Sequence, residues 1–192
     1  MKKSIFAVIM MFVLTAPLFA LSKYDGKTEA DIKAGFMINP SLKTDAGTTD
    51  MNMTFSIGTD FYYYAVPSIG IGLGANNIFG AKEKNSGSDA KYEFSNLYFA
   101  LKPKISFSDY SVYYIGRIGY GLIRATDFAG AIENGMYFGI GVGVEYESFI
   151  FEILYSSNNG KLTAGSDSSD GSDSSDITYS TLALNIGYRF HY

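Results

Sequence analysis

The chain has 192 residues, of which 47% are hydrophobic and 16% aromatic, and its formal net charge is −4. This length suits one domain, the negative charge argues against a nucleic-acid-binding surface, and the absence of Cys excludes disulfides and thiol chemistry. A single His also argues against multi-His metal sites, so the sequence predicts no metal and no cofactor.

The first twenty residues have the pattern of a secretory signal peptide. Lys2 and Lys3 precede an apolar run over 5–14, and Ala20 supplies a small residue at the expected cleavage point. We therefore predict a signal peptide over 1–20, with an uncleaved anchor as the alternative. After it, no run of apolar residues is long enough for a membrane helix.

The rest of the chain alternates apolar and polar residues with a period of two, which indicates strands. Between 135 and 146, for example, Phe138, Ile140 and Val142 alternate with glycines. The eight predicted strands cover about 30–39, 51–61, 67–77, 92–107, 111–124, 135–146, 149–156 and 178–192.

The connections between these strands alternate in length. Long loops are predicted over 40–50, 78–91, 125–134 and 157–177, and short turns over 62–66, 108–110 and 147–148. Alternating long and short connections are typical of transmembrane barrels. The sequence therefore predicts an all-β, eight-stranded, antiparallel up-and-down transmembrane barrel.

The apolar face of each strand is predicted to face lipid. It is bulky in all eight strands, whereas the opposite face carries Gly, Ser, Asn and charged residues that fit a narrow lumen. Aromatic residues near the short turns are expected to form an interfacial girdle; they are Phe61, Tyr62, Tyr63, Tyr64, Tyr110, Tyr113, Tyr114, Tyr146 and Phe149. A soluble barrel with the apolar face inside remains the alternative.

The polar face carries charges of both signs. The ten residues predicted in the lumen are Lys33, Lys102, Lys104, Arg117, Arg189, Asp31, Asp60, Glu93, Glu145 and Glu152. Buried charges must pair, so we predict a cluster of Glu145, Glu152 and Arg189 with Lys33 beside it and Arg117 also in the lumen. A stabilising plug is the favoured interpretation, and a proton or ion path is the alternative.

Residues 165–176 form an acidic repeat of low complexity. Its aspartates are spaced by three residues, which does not match the oxygen spacing of a Ca²⁺ loop. We predict a mobile, solvated loop, carrying Asp167, Asp170, Asp173 and Asp176.

The C-terminal residues Asn185, Gly187, Phe190 and Tyr192 resemble the assembly signal of bacterial outer-membrane proteins. The chain as a whole resembles the small eight-stranded barrels of the OmpX/Ail group and the membrane half of OmpA. This resemblance implies outer-membrane residence and insertion by the barrel-assembly machinery. The resemblance covers 30–192, which we predict to be the barrel, and we predict a short periplasmic segment over 21–29.

We expect a monomer with a structural or surface-interaction role, displaying four extracellular loops to a surface ligand. Lipopolysaccharide is a further expected partner, through Lys43, Lys82, Lys84 and Arg124. The alternatives are a narrow pore for small solutes and a lipid A-modifying enzyme. We predict no enzymatic activity, because His191 lies at the predicted periplasmic end, away from the outer leaflet.

Overall fold

The computed structural model describes residues 28–84, 91–126, 130–164 and 174–191, so the predicted signal peptide lies outside the described residues. No helix in these ranges is long and apolar enough to cross a membrane. The strands in these ranges are β1 (Thr28–Thr44), β2 (Gly47–Asp50), β3 (Thr54–Val66), β4 (Ile69–Lys82), β5 (Lys91–Ser106), β6 (Tyr110–Thr126), β7 (Gly130–Tyr146), β8 (Phe149–Ala164) and β9 (Ser174–His191).

Eight long strands close into a barrel. Each pairs antiparallel with its neighbour in chain order, and β1 also pairs with β9, which removes the open edges. The predicted eight-stranded, up-and-down fold is confirmed. Because β1 begins at Thr28, the last two residues of the predicted 21–29 segment belong to the barrel wall.

The short strand β2 completes the wall between β1 and β4 above β3. It forms a hairpin with β1, and the chain after it bonds to the end of β4. The amide of Asn52 donates to the Lys82 carbonyl at 2.7 Å, and the amide of Lys84 donates to Asp50 at 2.8 Å. The loop predicted over 40–50 is therefore mostly strand.

The outer end of the barrel, opposite the short turns, extends further than predicted. β4 continues to Lys82, β6 ends at Thr126 and β7 begins at Gly130. β8 and β9 likewise occupy most of the loop predicted over 157–177. The predicted loops were too long because apolar residues face inward at this end, which hides the alternation expected of a lipid-facing strand.

The inner end carries the short turns. The turn predicted over 62–66 is wrong: β3 continues to Val66 and the chain reverses at Pro67 and Ser68. Pro67 therefore lies in a turn, where its missing amide breaks no ladder. Glu147, in the turn before β8, has φ +52°.

A belt of exposed apolar side chains surrounds the inner part of the barrel. On β9, Leu184 and Ile186 point outward while Ala183 and Asn185 are buried in the lumen. Exposure of so many large apolar residues is expected only where lipid covers them. The belt includes Ile71, Leu73, Met136, Leu97, Phe99, Leu101, Ile118, Tyr120, Phe138, Ile140, Phe151, Ile153, Tyr155, Leu182, Leu184 and Ile186.

Candidate functional site

The lumen nearest the inner end holds six charged residues, which we call the basal layer. Arg189 is its centre: its Nε lies 2.8 Å from Asp31 Oδ1, and its guanidinium also pairs with Glu29 and Glu145. Lys102 Nζ lies 2.7 Å from Glu145 and 3.3 Å from Asp31. The layer is electrically balanced, with three acids against three bases: Glu29, Asp31, Glu145, Lys102, Lys104 and Arg189.

Further from the inner end, four charges form a second group, the central layer. Arg117 Nη2 lies 2.9 Å from Glu152 Oε1 and 3.1 Å from Asp60 Oδ2. Lys33 contacts the same two carboxylates, at 3.2 Å for Glu152. All four side chains are buried, and two acids balance two bases. Two neutral layers avoid the cost of an unpaired charge in the lumen.

The structure brings the predicted charges together in a different grouping. Glu145 contacts Arg189, but Glu152 lies with Lys33 and Arg117 in the other layer. Glu93, which was predicted in the lumen, is only half-buried, because Tyr92 and Phe94 face inward on either side of it. Glu29, which was assigned to the periplasmic segment, is the acid that balances the basal layer.

Tyrosines line the charged layers. Three of them were predicted in the interfacial girdle, and that prediction is wrong. Tyr62, Tyr64 and Tyr113 are buried in the lumen, because their neighbours in sequence occupy the outward positions. Lys102 Nζ lies 4.6 Å from the ring centre of Tyr62 and 4.4 Å from that of Tyr113. Cation–π contacts of this kind stabilise a desolvated lysine. Sequence reasoning missed this role because the tyrosines cluster near turns.

Outward aromatic residues do surround the inner end. Phe107 stacks on Tyr110 with centroids 4.7 Å apart, and Tyr188 meets Phe149 edge to face at 5.8 Å. Tyr63, Tyr114 and Tyr146 are also exposed. Aromatic rings at such positions are typical of the boundary between lipid and water.

Above the central layer lies a band of buried amides. Asn96 Nδ2 donates to Asn76 at 2.8 Å, which leaves its Oδ1 without a partner among the described residues. Both amide atoms of Asn158 also lack partners among the described residues. The two amide oxygens converge over Gly121, where a Cβ atom would lie 2.6 and 2.9 Å from them. Buried polar groups without protein partners are the usual positions of internal water.

The outer lumen is filled by apolar side chains, which we call the apolar plug. Phe94 and Tyr179 stack with ring centroids 4.1 Å apart at the centre of it. Met51 belongs to this plug, although it begins the strand predicted over 51–61, whose apolar side chains were expected to face lipid. It lies between β2 and β3, where it bridges to Glu83. The plug contains Met37, Leu42, Met51, Ile78, Ala81, Phe94, Ile123, Ile177 and Tyr179.

At the rim of the plug, Tyr92 is buried on one side and faces Glu83 on the other. Burial raises the pKa of the Tyr92 hydroxyl, and the Glu83 carboxylate raises it further. The hydroxyl therefore remains a neutral donor at any physiological pH. The basic residues predicted to meet lipopolysaccharide lie at this end too: Lys43, Lys82, Lys84 and Arg124 belong to the outer ends of β1, β4 and β6 or follow them directly.

The residues of the C-terminal signal have distinct places in β9. Asn185 Nδ2 donates to Glu152 at 2.9 Å, and Gly187 leaves room for Lys33, whose Cγ would lie 2.5 Å from an added Cβ atom. Phe190 is exposed on the outer wall, and the backbone of His191 pairs with Glu29 at the inner end. Tyr192 lies outside the described residues.

The acidic repeat is described only at its end. Asp176 lies in β9, where its amide donates to Asp45 at 3.3 Å. The other three aspartates, Asp167, Asp170 and Asp173, lie outside the described residues, so the predicted mobility of this segment stays a prediction.

Comparison with known proteins identifies the fold. The chain is 28% identical to the uncharacterized protein PM1543 of Pasteurella multocida (strain Pm70), over 86% of this chain and 87% of that protein. No protein-family model matches. Neisserial surface protein A superposes with a TM-score of 0.54 at 10% identity, over 85% of this chain and 97% of that one. The chain has the fold of the small outer-membrane barrels.

Other barrels of this fold differ in role. The attachment invasion locus protein Ail of Yersinia pestis superposes with a TM-score of 0.50 at 15% identity, over 87% of this chain and all of Ail. The outer-membrane enzyme PagL has the same TM-score at 11% identity, over 81% of this chain and 97% of PagL. At these identities the likeness concerns the fold alone, and function must be argued from the residues.

Proposed function

We propose that this protein is a non-conducting barrel of the outer membrane that displays its outer strand ends as an interaction surface. The observation that carries the proposal is the filling of the lumen at every level. Basal layer, central layer, amide band and apolar plug follow one another along the barrel axis. Because eight strands enclose a narrow interior, such filling leaves no continuous path for solutes through the described part of the barrel.

The outer strand ends support a display role. On β8 the last large exposed apolar residue is Tyr155, yet the strand continues to Ala164. The outward side chains between them, Ser157, Asn159 and Lys161, are polar or charged. Because strands hold them, these side chains form a rigid base for the loops that connect the strands.

Exclusion of the pore alternative requires a conductance measurement. The folded mature chain, reconstituted in a planar bilayer, is expected to give no unitary current, with a general porin inserted by the same procedure as the positive control. Discrete, reproducible openings would contradict the filled lumen and restore the pore hypothesis.

Surface display is tested with matched epitope tags. A tag after Ser168, in the predicted outer loop, should be labelled by antibody on intact cells. The same tag after Asp109, in an inner turn, should be labelled only after the envelope is permeabilised. Labelling of neither tag on intact cells, in protein found in the outer-membrane fraction, would overturn the display role.

The partners predicted from the sequence enter the same proposal. The closed contact between β9 and β1 agrees with assembly that begins from the last strand, as the C-terminal signal implies. Lipopolysaccharide is proposed to contact the basic residues at the outer ends of β1, β4 and β6. We keep the proposal of a non-enzymatic monomer.

A further inference from the structure

A groove of about 410 Å³ opens where β7, β8 and β9 rise above the apolar belt. A β-bulge lies in its wall, where β7 has an extra residue between the pairs Asn134–Gly160 and Tyr137–Asn158. Gly135 lies in this bulge, where a Cβ atom would collide with the backbone of Asn159. The volume falls within the range of roughly 300–1,000 Å³ that is usual for small-molecule sites.

Three charged residues stand in one row across the groove. Lys161 on β8 pairs in register with Glu133 on β7 and with Asp176 on β9, and all three side chains are exposed. The backbone amide of Asp176 donates to the Asp45 carboxylate at 3.3 Å, but within the described part of the chain none of the three side chains makes an ion pair or a hydrogen bond. One ammonium and two carboxylates are therefore available to a ligand along the same line.

The row lies above the part of the wall that lipid tails would cover. Lys161 is six residues beyond Tyr155, the last large exposed apolar residue of β8, which is roughly 20 Å along the strand at about 3.3 Å per residue. Between the levels of Tyr155 and Lys161 the groove is lined by the polar residues Asn159 on β8 and Thr178 on β9. A ligand at this level belongs to the polar zone of the membrane surface.

We propose that this groove binds a phosphoethanolamine group, which carries a phosphate and a primary ammonium on a short linker. Lys161 pairs with the phosphate, while Glu133 and Asp176 accept hydrogen bonds from the ammonium. The amide of Asn159 and the hydroxyl of Thr178 bind the remaining oxygens. The proposal rests on the proposed function, because an outer-membrane barrel meets such groups on phospholipids and on glycolipids.

The row explains why a zwitterion suits the groove better than a simple anion. Two carboxylates flank the single lysine, so a phosphate alone would be attracted by one group and repelled by two. A ligand that carries its own ammonium adds one positive charge, which offsets the repulsion between its phosphate and the two carboxylates. A quaternary ammonium has the same charge but no N–H donors, so it is expected to bind more weakly.

The test is an NMR titration of the folded protein in a non-ionic detergent, with the amides of Gly135, Gly160 and Thr178 as reporters. Glycerophosphoethanolamine and a short-chain phosphatidylethanolamine are the two probes, with phosphatidylcholine and phosphatidylglycerol as comparisons. Saturable shifts with both probes assign the site to the group itself, and saturation with the lipid alone assigns it to a headgroup in the membrane. No saturation with either probe, or equal affinity for phosphatidylglycerol, overturns the proposal.

Variants of exposed residues make the test specific. Lys161→Gln and Glu133→Gln should each weaken binding about tenfold, the equivalent of about 1.4 kcal/mol. The control Lys91→Gln removes an exposed lysine at the outer end of β5 and should leave binding unchanged. Equal loss in the control would show general charge attraction and overturn the site. Conductance and surface labelling are measured separately, so failure here leaves the proposed function standing.

Discussion

The inner and outer halves of the barrel are built in opposite ways. In the inner half, ion pairs such as Arg189–Asp31 fill the lumen while residues such as Ile186 face outward. In the outer half, Phe94 and Tyr179 stack inside while Lys161 and Asn159 are exposed outside. The inner half is therefore arranged for lipid surroundings, and the outer half resembles a soluble barrel in water.

The contrast shows how the same strands are stable in two surroundings, lipid around the inner half and water around the outer half. Where lipid solvates the wall, apolar burial gives no driving force, and the interior is held by directional ion pairs and hydrogen bonds. Where water surrounds the wall, the hydrophobic effect again favours an apolar interior. The amide band around Asn96 and Asn158 lies at the change from one regime to the other.

The largest expected effect comes from the inner half. Arg189→Leu leaves the buried Asp31 without its shortest ion pair and removes one of the partners of Glu29 and Glu145. Breaking a buried ion pair on one side typically costs 3–5 kcal/mol, so we expect a loss of about 4 kcal/mol in the free energy of unfolding. The measurement is urea unfolding of protein refolded in lipid vesicles.

The control for this prediction is Arg189→Lys, which keeps the charge but not the forked geometry, and it should lose about half as much, on the order of 2 kcal/mol. A loss below about 1 kcal/mol in Arg189→Leu would show that the layer contributes less than a typical buried pair. The inner half would then depend on packing, as the outer half does.

The next effect concerns the apolar plug. Phe94→Ala removes a fully buried ring and its stacking on Tyr179, so we expect a loss of about 3 kcal/mol. Combined with Arg189→Leu, the two losses should add to within about 0.5 kcal/mol, because the residues share no partner. Strong coupling between them in unfolding experiments would contradict two separately built halves.

The sequence predicts the inner half well because the same alternation, apolar residues outward and polar residues inward, runs through every strand there. Alternation such as Leu97, Phe99 and Leu101 against Tyr98, Ala100 and Lys102 fixes both strand and face, and the structure places each as predicted by that alternation. The charges on the polar face follow from the same parity. The alternation does not predict which charges form ion pairs, because pairing depends on the stagger of strands around the barrel.

The strands of the outer half are not predicted from the sequence, because the apolar residues change from outward to inward positions within one strand. On β9, Ile177 and Tyr179 face inward, and from Leu182 onward the apolar residues face outward, although the strand is continuous. A search for one unbroken alternation ends each strand at that reversal. Paired polar residues such as Ser180 and Ser157 at the reversal then look like loop.

The smallest expected effect tests the boundary between the two halves. Gly121→Ala places a methyl group against the unpartnered oxygens of Asn158 and Asn96, and we expect a loss of about 1–2 kcal/mol from displaced hydrogen-bonding groups. Gly121→Ser is larger, yet its hydroxyl can donate to either oxygen, so it should lose about 1 kcal/mol less. If unfolding shows Ser to be as harmful as Ala, steric volume governs this position. If Ser is better tolerated, the boundary needs a hydrogen-bond donor, and the amide band is the hydrated layer between an ion-paired interior and an apolar one.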